Sequence, residues 1–414
     1  MIHKPEQSPV SVLMASIGGY GYYYLKTLLE EFPEGKIKLA GVVDPYPEQS
    51  PLYETVKQLR APIYPTIEDF YNAEKCADLV VLSTPIYLHA SQTCHALRNN
   101  TQVLCEKPAA ATVQQIDEMI RVRDRTDNWV MIGYQWSYSK VIQRLKQDIR
   151  QGKFGKPIRF KFLGLWPKDD AYYRRNNWAG RIKEDSSMWV LDSPVNNALA
   201  HYLHNFFYLL GEKVDHSVAP VSVTAEVYRA HPIENYDTAA LRVFTENGVE
   251  ILFYVSHSTL MRIDPVFQME FEDAVISYFQ TPPQIIACDK KGRRINYGSP
   301  DEEHQFLKLF RAVEKINQNV PIVCGLEASR SQTVCMNGVQ ELFPEIPVFP
   351  ASMVYRFEAE DRYWTKGLDM GLIDCYQENL LPAEKKYSWA VPSQTVDLTD
   401  YHFFPRKREP GHMP

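Results

Sequence analysis

The chain has 414 residues, 45% of them hydrophobic, with 51 acidic against 45 basic side chains and a formal charge of −6. That length exceeds one ordinary core, so two domains are expected, and the mixed charge reads as globular rather than disordered. The mild acidity argues against a nucleic-acid partner, and no apolar run reaches the roughly 18 residues of a membrane span.

The first residues, MIHKPEQSPVSV, lack the apolar core of a secretory signal. The seven scattered cysteines contain no CxxC pair and read as thiols of a reducing compartment, so a cytoplasmic protein is expected. VSVLMA (10–15) is a short apolar run that predicts a buried strand, and apolar residues then recur at helical spacing from Tyr20 to Phe32. IKLAGVVD (37–44) is the next strand. A weaker helix over 48–60, PIYP, and a short helix at TIEDFYN follow. DLVVLSTP (78–85), a helix to Leu97, TQVLCEKP (101–108), a helix over 112–126 and WVMIGY (129–134) complete the first half. Strands alternating with helices at this spacing predict βαβ units and a parallel sheet, with active groups at the carboxyl ends of its strands.

After Gln135 the pattern changes. KPIRFKFLGLW, SVTAEVYRA, AALRVFT, EILFYVSHS, VFQMEFE and AVISYFQ alternate apolar and polar residues, which predicts an antiparallel sheet with one face available to a partner. Helices are expected over 138–151, 195–210, 301–318 and 326–341, and the tail from Phe343 reads as a segment lying on the body.

MASIGGYGYYYL (14–25) sits where the first strand ends and the first helix begins. In a GxGxxG turn the first glycine permits the bend, the second lets the backbone approach a pyrophosphate, and the third lets helix and strand pack closely. Those positions fall on Ser16, Gly18 and Gly21, with Gly19 as an additional glycine. A serine at the bend costs backbone freedom if positive φ is required. Asp44 closes the second strand 23 residues past Gly21, where an acid accepts both ribose hydroxyls and repels a 2′-phosphate. This favours NAD over NADP. The bland alternative for Asp44 is a turn residue before Pro45.

CEKPAA (105–110) lies downstream of that turn and of Ser83-Thr84-Pro85 with His89. Together with GYQWSYS (133–139), QGKFGKPIRF (151–160) and AHYLHNFFYLLG (200–211), the combination resembles the Gfo/Idh/MocA oxidoreductase family from about Val10 to Leu342. The resemblance implies an α/β protein: an N-terminal Rossmann domain (1–134), an α/β substrate and oligomerisation domain with a large open, mostly antiparallel sheet (135–342), and here a C-terminal extension (343–414) packed on the body. It implies hydride transfer between NAD and a hydroxyl-bearing carbon of a sugar, sugar acid or polyol, and a homodimer or homotetramer formed through the C-terminal sheet. Carried over residue by residue, Lys107 matches the lysine that touches nicotinamide and the reacting oxygen. Glu106 matches the acid that supports it, and His201 matches the histidine that takes or gives the proton. The Lys107–Pro108 bond is a candidate cis peptide. Thr84, Pro85 and His89 would line the cofactor.

The family's DxGxHxxD run is here NALAHYLH, with Asn197, His201 and His204 on the expected helix. Asn197 removes a charge but keeps a group that binds hydroxyls both ways. No third ligand accompanies the two histidines, so no metal is expected. The stretch 171–201 is dense in Tyr, Trp, Arg and Asn; Trp178, Arg181 and Asn197, with Tyr173 and Arg174, are the substrate-binding candidates, and His204 joins them. Aromatic faces suit a pyranose and arginines fork onto carboxylates, while ordinary loop packing explains any single aromatic equally well. Two other functions fit the same residues. One is redox-route glycoside hydrolysis, in which NAD oxidises a sugar transiently and the hydride returns. The other is a non-catalytic dinucleotide- or sugar-binding regulator.

Overall fold

A computed structural model describes residues 8–185, 187–318 and 320–406; the first seven residues, part of the stretch read for a leader, lie outside them. In chain order the elements begin with β1 (Val10–Ala15), α1 (Gly19–Glu30), β2 (Ile37–Val43), α2 (Tyr53–Gln58), β3 (Ile63–Tyr64), α3 (Ile67–Asn72), β4 (Leu79–Leu82), α4 (Ile86–Arg98), β5 (Gln102–Cys105), α5 (Val113–Arg123) and β6 (Val130–Ile132). They continue with α6 (Lys140–Arg150), β7 (Pro157–Leu165), α7 (Asp170–Arg174), α8 (Ala200–Leu209), β8 (Pro220–Tyr228), β9 (Thr238–Thr245), β10 (Glu250–Ser256), β11 (Ile263–Phe271), β12 (Ala274–Gln280), β13 (Pro283–Asp289) and β14 (Arg294–Gly298). The last are α9 (Leu307–Asn317), α10 (Leu326–Leu342), β15 (Val354–Phe357), β16 (Arg362–Thr365), α11 (Leu368–Glu378) and β17 (Gln394–Asp397).

The chain divides into two compact units. The first runs to Ala110 and adds Gln115–Ser139 and Glu303–Ser329; the second holds Ala111–Gln114, Lys140–Glu302 and everything from Arg330. Glu303–Ser329 therefore folds with the N-terminal residues rather than with its sequence neighbours.

In the first unit, six strands pair in the order β3-β2-β1-β4-β5-β6, all parallel. β1, β4 and β5 are almost entirely buried, which is why they read as continuous apolar runs rather than as alternation. The carboxyl ends of β1, β2, β4 and β5 carry Ser16, Asp44, Ser83 and Glu106. α9 packs against α1: Phe310 stacks on Phe32 at 4.7 Å and Phe306 meets Tyr24 edge-on at 4.9 Å.

The second unit is built on nine strands in the order β14-β13-β12-β11-β7-β10-β9-β8-β17. The sheet is mostly antiparallel with one parallel pair, β7 with β10. Its two faces follow from the period of two along β7. Phe160 and Phe162 meet Phe206 and Tyr202 of α8 on one face. Leu163 and Leu165 point the other way, into a buried cluster with Leu252, Tyr254, Leu368, Leu372, Cys375, Leu381 and Trp389. The face expected to be available to a partner is thus covered, over β7 to β10, by α11 and the residues after it.

The helix expected from residue 195 begins only at Ala200. Leu191 has φ 55°, and the Asn196 side chain donates to the Leu191 carbonyl at 3.0 Å, so side-chain-to-backbone bonds shape this stretch into turns before regular helix starts. The weak helix over 48–60 breaks into a single 3₁₀ turn and α2. Ser50 lies between them and gives its hydroxyl to the Ile17 carbonyl at 2.7 Å.

Candidate cofactor and substrate site

The glycine turn keeps its geometry despite its serine. Ser16 has φ 71°, the left-handed region, where a side chain costs roughly 1–2 kcal/mol. Its N–H donates to the Val43 carbonyl at 2.7 Å, which ties the bend to β2. A Cβ at Gly21 would lie 2.3 Å from the Ser16 carbonyl oxygen and 2.6 Å from Ser83 Oγ, so no side chain fits there. At Gly18 a Cβ would project into open space, and Gly19 has φ 50°. A phosphate can therefore approach the backbone at the positive end of α1, whose first turn holds no acid. Asp44 is buried, and its two oxygens accept from Ile17 N and Tyr46 N, each at 2.9 Å. Each oxygen keeps a lone pair for a ribose hydroxyl. These residues fit an adenine dinucleotide with a free 2′-hydroxyl.

At the end of β5 the Lys107–Pro108 bond is cis. Glu106 is buried, and one carboxylate oxygen accepts from the Lys308 ammonium and from the Tyr24 hydroxyl at 2.6 Å. The other accepts from the Lys107 backbone N–H at 3.1 Å. Lys308, from α9, also donates to the Gly133 carbonyl at 3.2 Å and lies over the rings of Tyr20 and Tyr24. Burial, the largest single effect, raises the Glu106 carboxyl, but the charge and hydrogen bond of Lys308, with the Tyr24 hydroxyl and the Lys107 charge, together outweigh it and hold the group below its ordinary range. Gly133 makes room for this carboxylate: a Cβ there would sit 2.6 Å from Glu106 Oε1. Lys107 itself is half-buried.

The expected cofactor contact at His89 takes a different form. The ring is buried on α4, with Nδ1 2.8 Å from the Pro108 carbonyl and Nε2 2.8 Å from the Thr84 carbonyl. It clamps the turn after β4 to the turn after β5. Burial lowers its pKa, against the pull of the two carbonyls. Thr84 gives its hydroxyl to Gln92 at 2.6 Å, and Pro85 caps α4.

In the second unit, Asp192 gathers several of the expected residues. It is buried, with one oxygen accepting from Gly180 N at 2.6 Å and the other from the Asn197 amide at 2.8 Å; Arg175 stands 3.9 Å away. The missing family carboxylate at 197 is thus answered by one five residues earlier. Tyr173 shares a hydrogen bond with His257 Nδ1 at 3.2 Å. Burial pushes that phenol well above and that imidazole well below their usual values, so both are neutral near pH 7. Arg175 lies 3.8 Å over the Tyr172 ring and 5.4 Å from the Trp178 ring.

Other expected residues fall outside this cluster. Arg174 is exposed and pairs with Asp361 at 3.2 Å, and Arg181 is exposed with its N–H on the Trp178 carbonyl. His204 is buried and stacks on Tyr208 beside Lys146; burial, then that ammonium, drives its pKa well down, so it is a core group. His201 opens α8 and is half-buried. Sequence reading missed Lys308, Asp192, Arg175 and His257. The first two carried a signal of a kind: a charged residue among apolar neighbours on a helix, and an aspartate before a proline-asparagine turn.

Residues 10–134 match a family profile described as "Oxidoreductase family, NAD-binding Rossmann fold" of the Gfo/Idh/MocA group. A D-xylose 1-dehydrogenase [NADP(+)] of Haloarcula marismortui is 33% identical over 95 residues, 22% of this chain and 26% of that protein. A 2,7-anhydro-N-acetylneuraminate hydratase of Escherichia coli is 24% identical over 143 residues, 34% of this chain and 35% of that protein. The chain thus spans about a quarter to a third of these curated relatives. The WlbA dehydrogenase from Bordetella pertussis, solved with NADH and UDP-GlcNAcA, has the same fold at TM-score 0.65 and 18% identity, over 80% of this chain and 95% of that one. Over residues 10–134 the chain is similar to the Gfo/Idh/MocA oxidoreductase family.

Proposed function

We propose that the chain is an NAD-dependent oxidoreductase that moves hydride between the nicotinamide and a hydroxyl-bearing carbon of a sugar, sugar acid or polyol. The observation that carries this reading is the glycine turn joined to Asp44: a left-handed Ser16, a Gly21 that admits no side chain, and an acid at the ribose position. The bound nicotinamide would supply or take the hydride. Lys107 would stabilise the developing alkoxide, and His201 would exchange the hydroxyl proton. Gly18, Gly19, Thr84 and Pro85 would line the cofactor, and Tyr173, Trp178 and Asn197 the substrate.

A second reading keeps NAD but returns the hydride, so that no net redox occurs. The hydratase relative favours it. One experiment separates the readings. Calorimetric titration with NAD and NADP is followed by a panel of sugars and polyols monitored for NADH absorbance and, by mass, for products. NAD binding with NADH formation supports the dehydrogenase, and product without NADH supports the second reading. Binding of NAD that survives Lys107→Ala, with no turnover in either protein, supports a regulator. No binding of either dinucleotide sinks both redox readings and leaves a sugar-binding regulator.

We also place the protein in a reducing compartment, since all seven cysteines are free thiols, five of them buried.

A further inference from the structure

The stretch after β7 lays three cations between aromatic rings. Lys168 Nζ lies 4.7 Å from the centre of the Tyr172 ring and 5.5 Å from that of Trp166. Arg262 approaches Trp166 from 5.5 Å, and Arg175 covers Tyr172 at 3.8 Å. Two of the three have acids at hand: Arg262 pairs with Asp264 at 2.7 Å, and Arg175 stands 3.9 Å from Asp192, which is already held by Gly180 and Asn197. The neighbouring Asp169 spends an oxygen capping α7, accepting from Tyr172 N at 2.8 Å. Among the described residues no carboxylate lies within ion-pair distance of Lys168, which is half-buried.

Beside this row is a crevice too narrow to hold a water molecule, lined among others by Tyr172, Tyr173, Asp192, Ser193, Tyr236 and His257. The crevice itself has no room for a ligand, so the rings and cations at its rim would hold one. His257 is 2% exposed and its Nε2 has no hydrogen-bond partner among the described residues. A buried polar atom without a partner is costly.

We propose that Lys168 and Arg175, threaded on Trp166, Tyr172 and Trp178, form the subsite for an anionic group, a carboxylate or phosphate, carried by the sugar substrate. The assignment rests on the reading of the chain as a sugar oxidoreductase and names its substrate class. Aromatic rings present flat apolar faces to the C–H face of a pyranose, while the two cations supply charge-assisted hydrogen bonds to the anion. The electrostatics agree: burial first, then repulsion from Arg262 and Arg175, lower the Lys168 pKa against a weaker pull from Asp169. A bound anion removes that strain. A neutral sugar leaves it in place.

The test uses the full chain with saturating NAD. Saturation-transfer NMR titrations compare D-glucuronate and D-glucose 6-phosphate with D-glucose and D-xylose, for the wild type, Lys168→Met and Lys168→Arg. At least one acidic sugar should bind, at least tenfold more tightly than its neutral counterpart. Lys168→Met should weaken it tenfold or more, Lys168→Arg should retain most of the affinity, and NAD affinity should be the same in all three proteins. Which acidic sugar binds tells carboxylate from phosphate. Equal binding of neutral sugars, acidic-sugar binding untouched by Lys168→Met, or no acidic-sugar binding overturns the subsite. NADH absorbance, read in parallel, keeps the two ideas apart. Acidic-sugar binding without NADH leaves the subsite standing and removes the dehydrogenase reading; NADH from a neutral sugar alone does the reverse.

Discussion

Ser16 takes a backbone conformation that glycine holds more cheaply. Ser16→Gly should therefore stabilise the fold by about 1 kcal/mol, less whatever the freer unfolded chain gives back, with NAD affinity retained. Chemical denaturation beside calorimetry checks both. A stronger effect belongs to Lys308. Its charge is buried, its ion pair with Glu106 is buried, and removing one partner leaves the other uncompensated. Lys308→Met should cost about 3–5 kcal/mol at pH 7. The pH dependence carries the sign. Glu106 is depressed below its ordinary 4.5, so its contribution is present above that value and fades as pH falls further. Burial, the largest single effect, lowers Lys308, but Glu106 and Tyr20 together outweigh it and raise the group above its ordinary 10.5, so its contribution is present below that value and fades as pH rises. In the variant, Glu106 is buried without its main cation, and acid would neutralise it. The deficit relative to wild type should shrink as pH drops from 7 towards 5; a deficit independent of pH over that range would mean Lys308 acts through packing alone.

At the scale of the element, the turn between β1 and α1 and the turn before α8 each depend on one close approach. Gly21→Ala puts a methyl into the Ser16 carbonyl, a backbone atom that cannot move aside, so NAD binding should be lost even if the protein remains folded by circular dichroism. Before α8, the Asn197 amide donates to Asp192. Asn197→Asp would set a second carboxylate 2.8 Å from the buried Asp192, at a half-buried position. Like charges so placed share a proton rather than both ionising. The variant should be less stable than wild type by about 1–3 kcal/mol at pH 7 and recover towards pH 5. Equal stability at both pH values would show that Asp192 does not need the amide.

For the whole molecule, the C-terminal residues act as part of the core of the second unit. Leu372 is wholly buried against β-strand residues such as Leu252 and Tyr254, and Leu372→Ala should cost about 2–5 kcal/mol in thermal or chemical unfolding. Deleting the chain from residue 344 should expose that apolar face and give aggregated protein in size-exclusion chromatography. The same covering bears on assembly. We propose that if copies pair through the sheet, they use β12 to β14, whose outward residues include Ile286 and the exposed Phe279. Light scattering of wild type and Phe279→Glu would test this: a smaller particle in the variant supports it, and an unchanged mass moves the interface elsewhere.

The strand-helix rhythm, the glycine turn, Asp44 and the run ending in Lys107 were all legible in the sequence, because periodicity and turn chemistry are local and a buried parallel strand is nearly all apolar. Ser16 was legible as a departure, and its left-handed φ follows from the bend it occupies. Other features were beyond a local reading. Lys308 meets Glu106 across 202 positions, and whether a lysine on a helix faces water or a buried acid depends on which helix packs beside which strand. Arg175 and Arg174 are adjacent and chemically alike; only the path of α7 sends one over Tyr172 and the other to Asp361. The parallel pairing of β7 with β10, and the tail laid over their outer face, likewise depend on contacts between segments far apart in the chain. Local sequence determines what each segment can be. Burial, and the charges it forces together, decide what each segment meets.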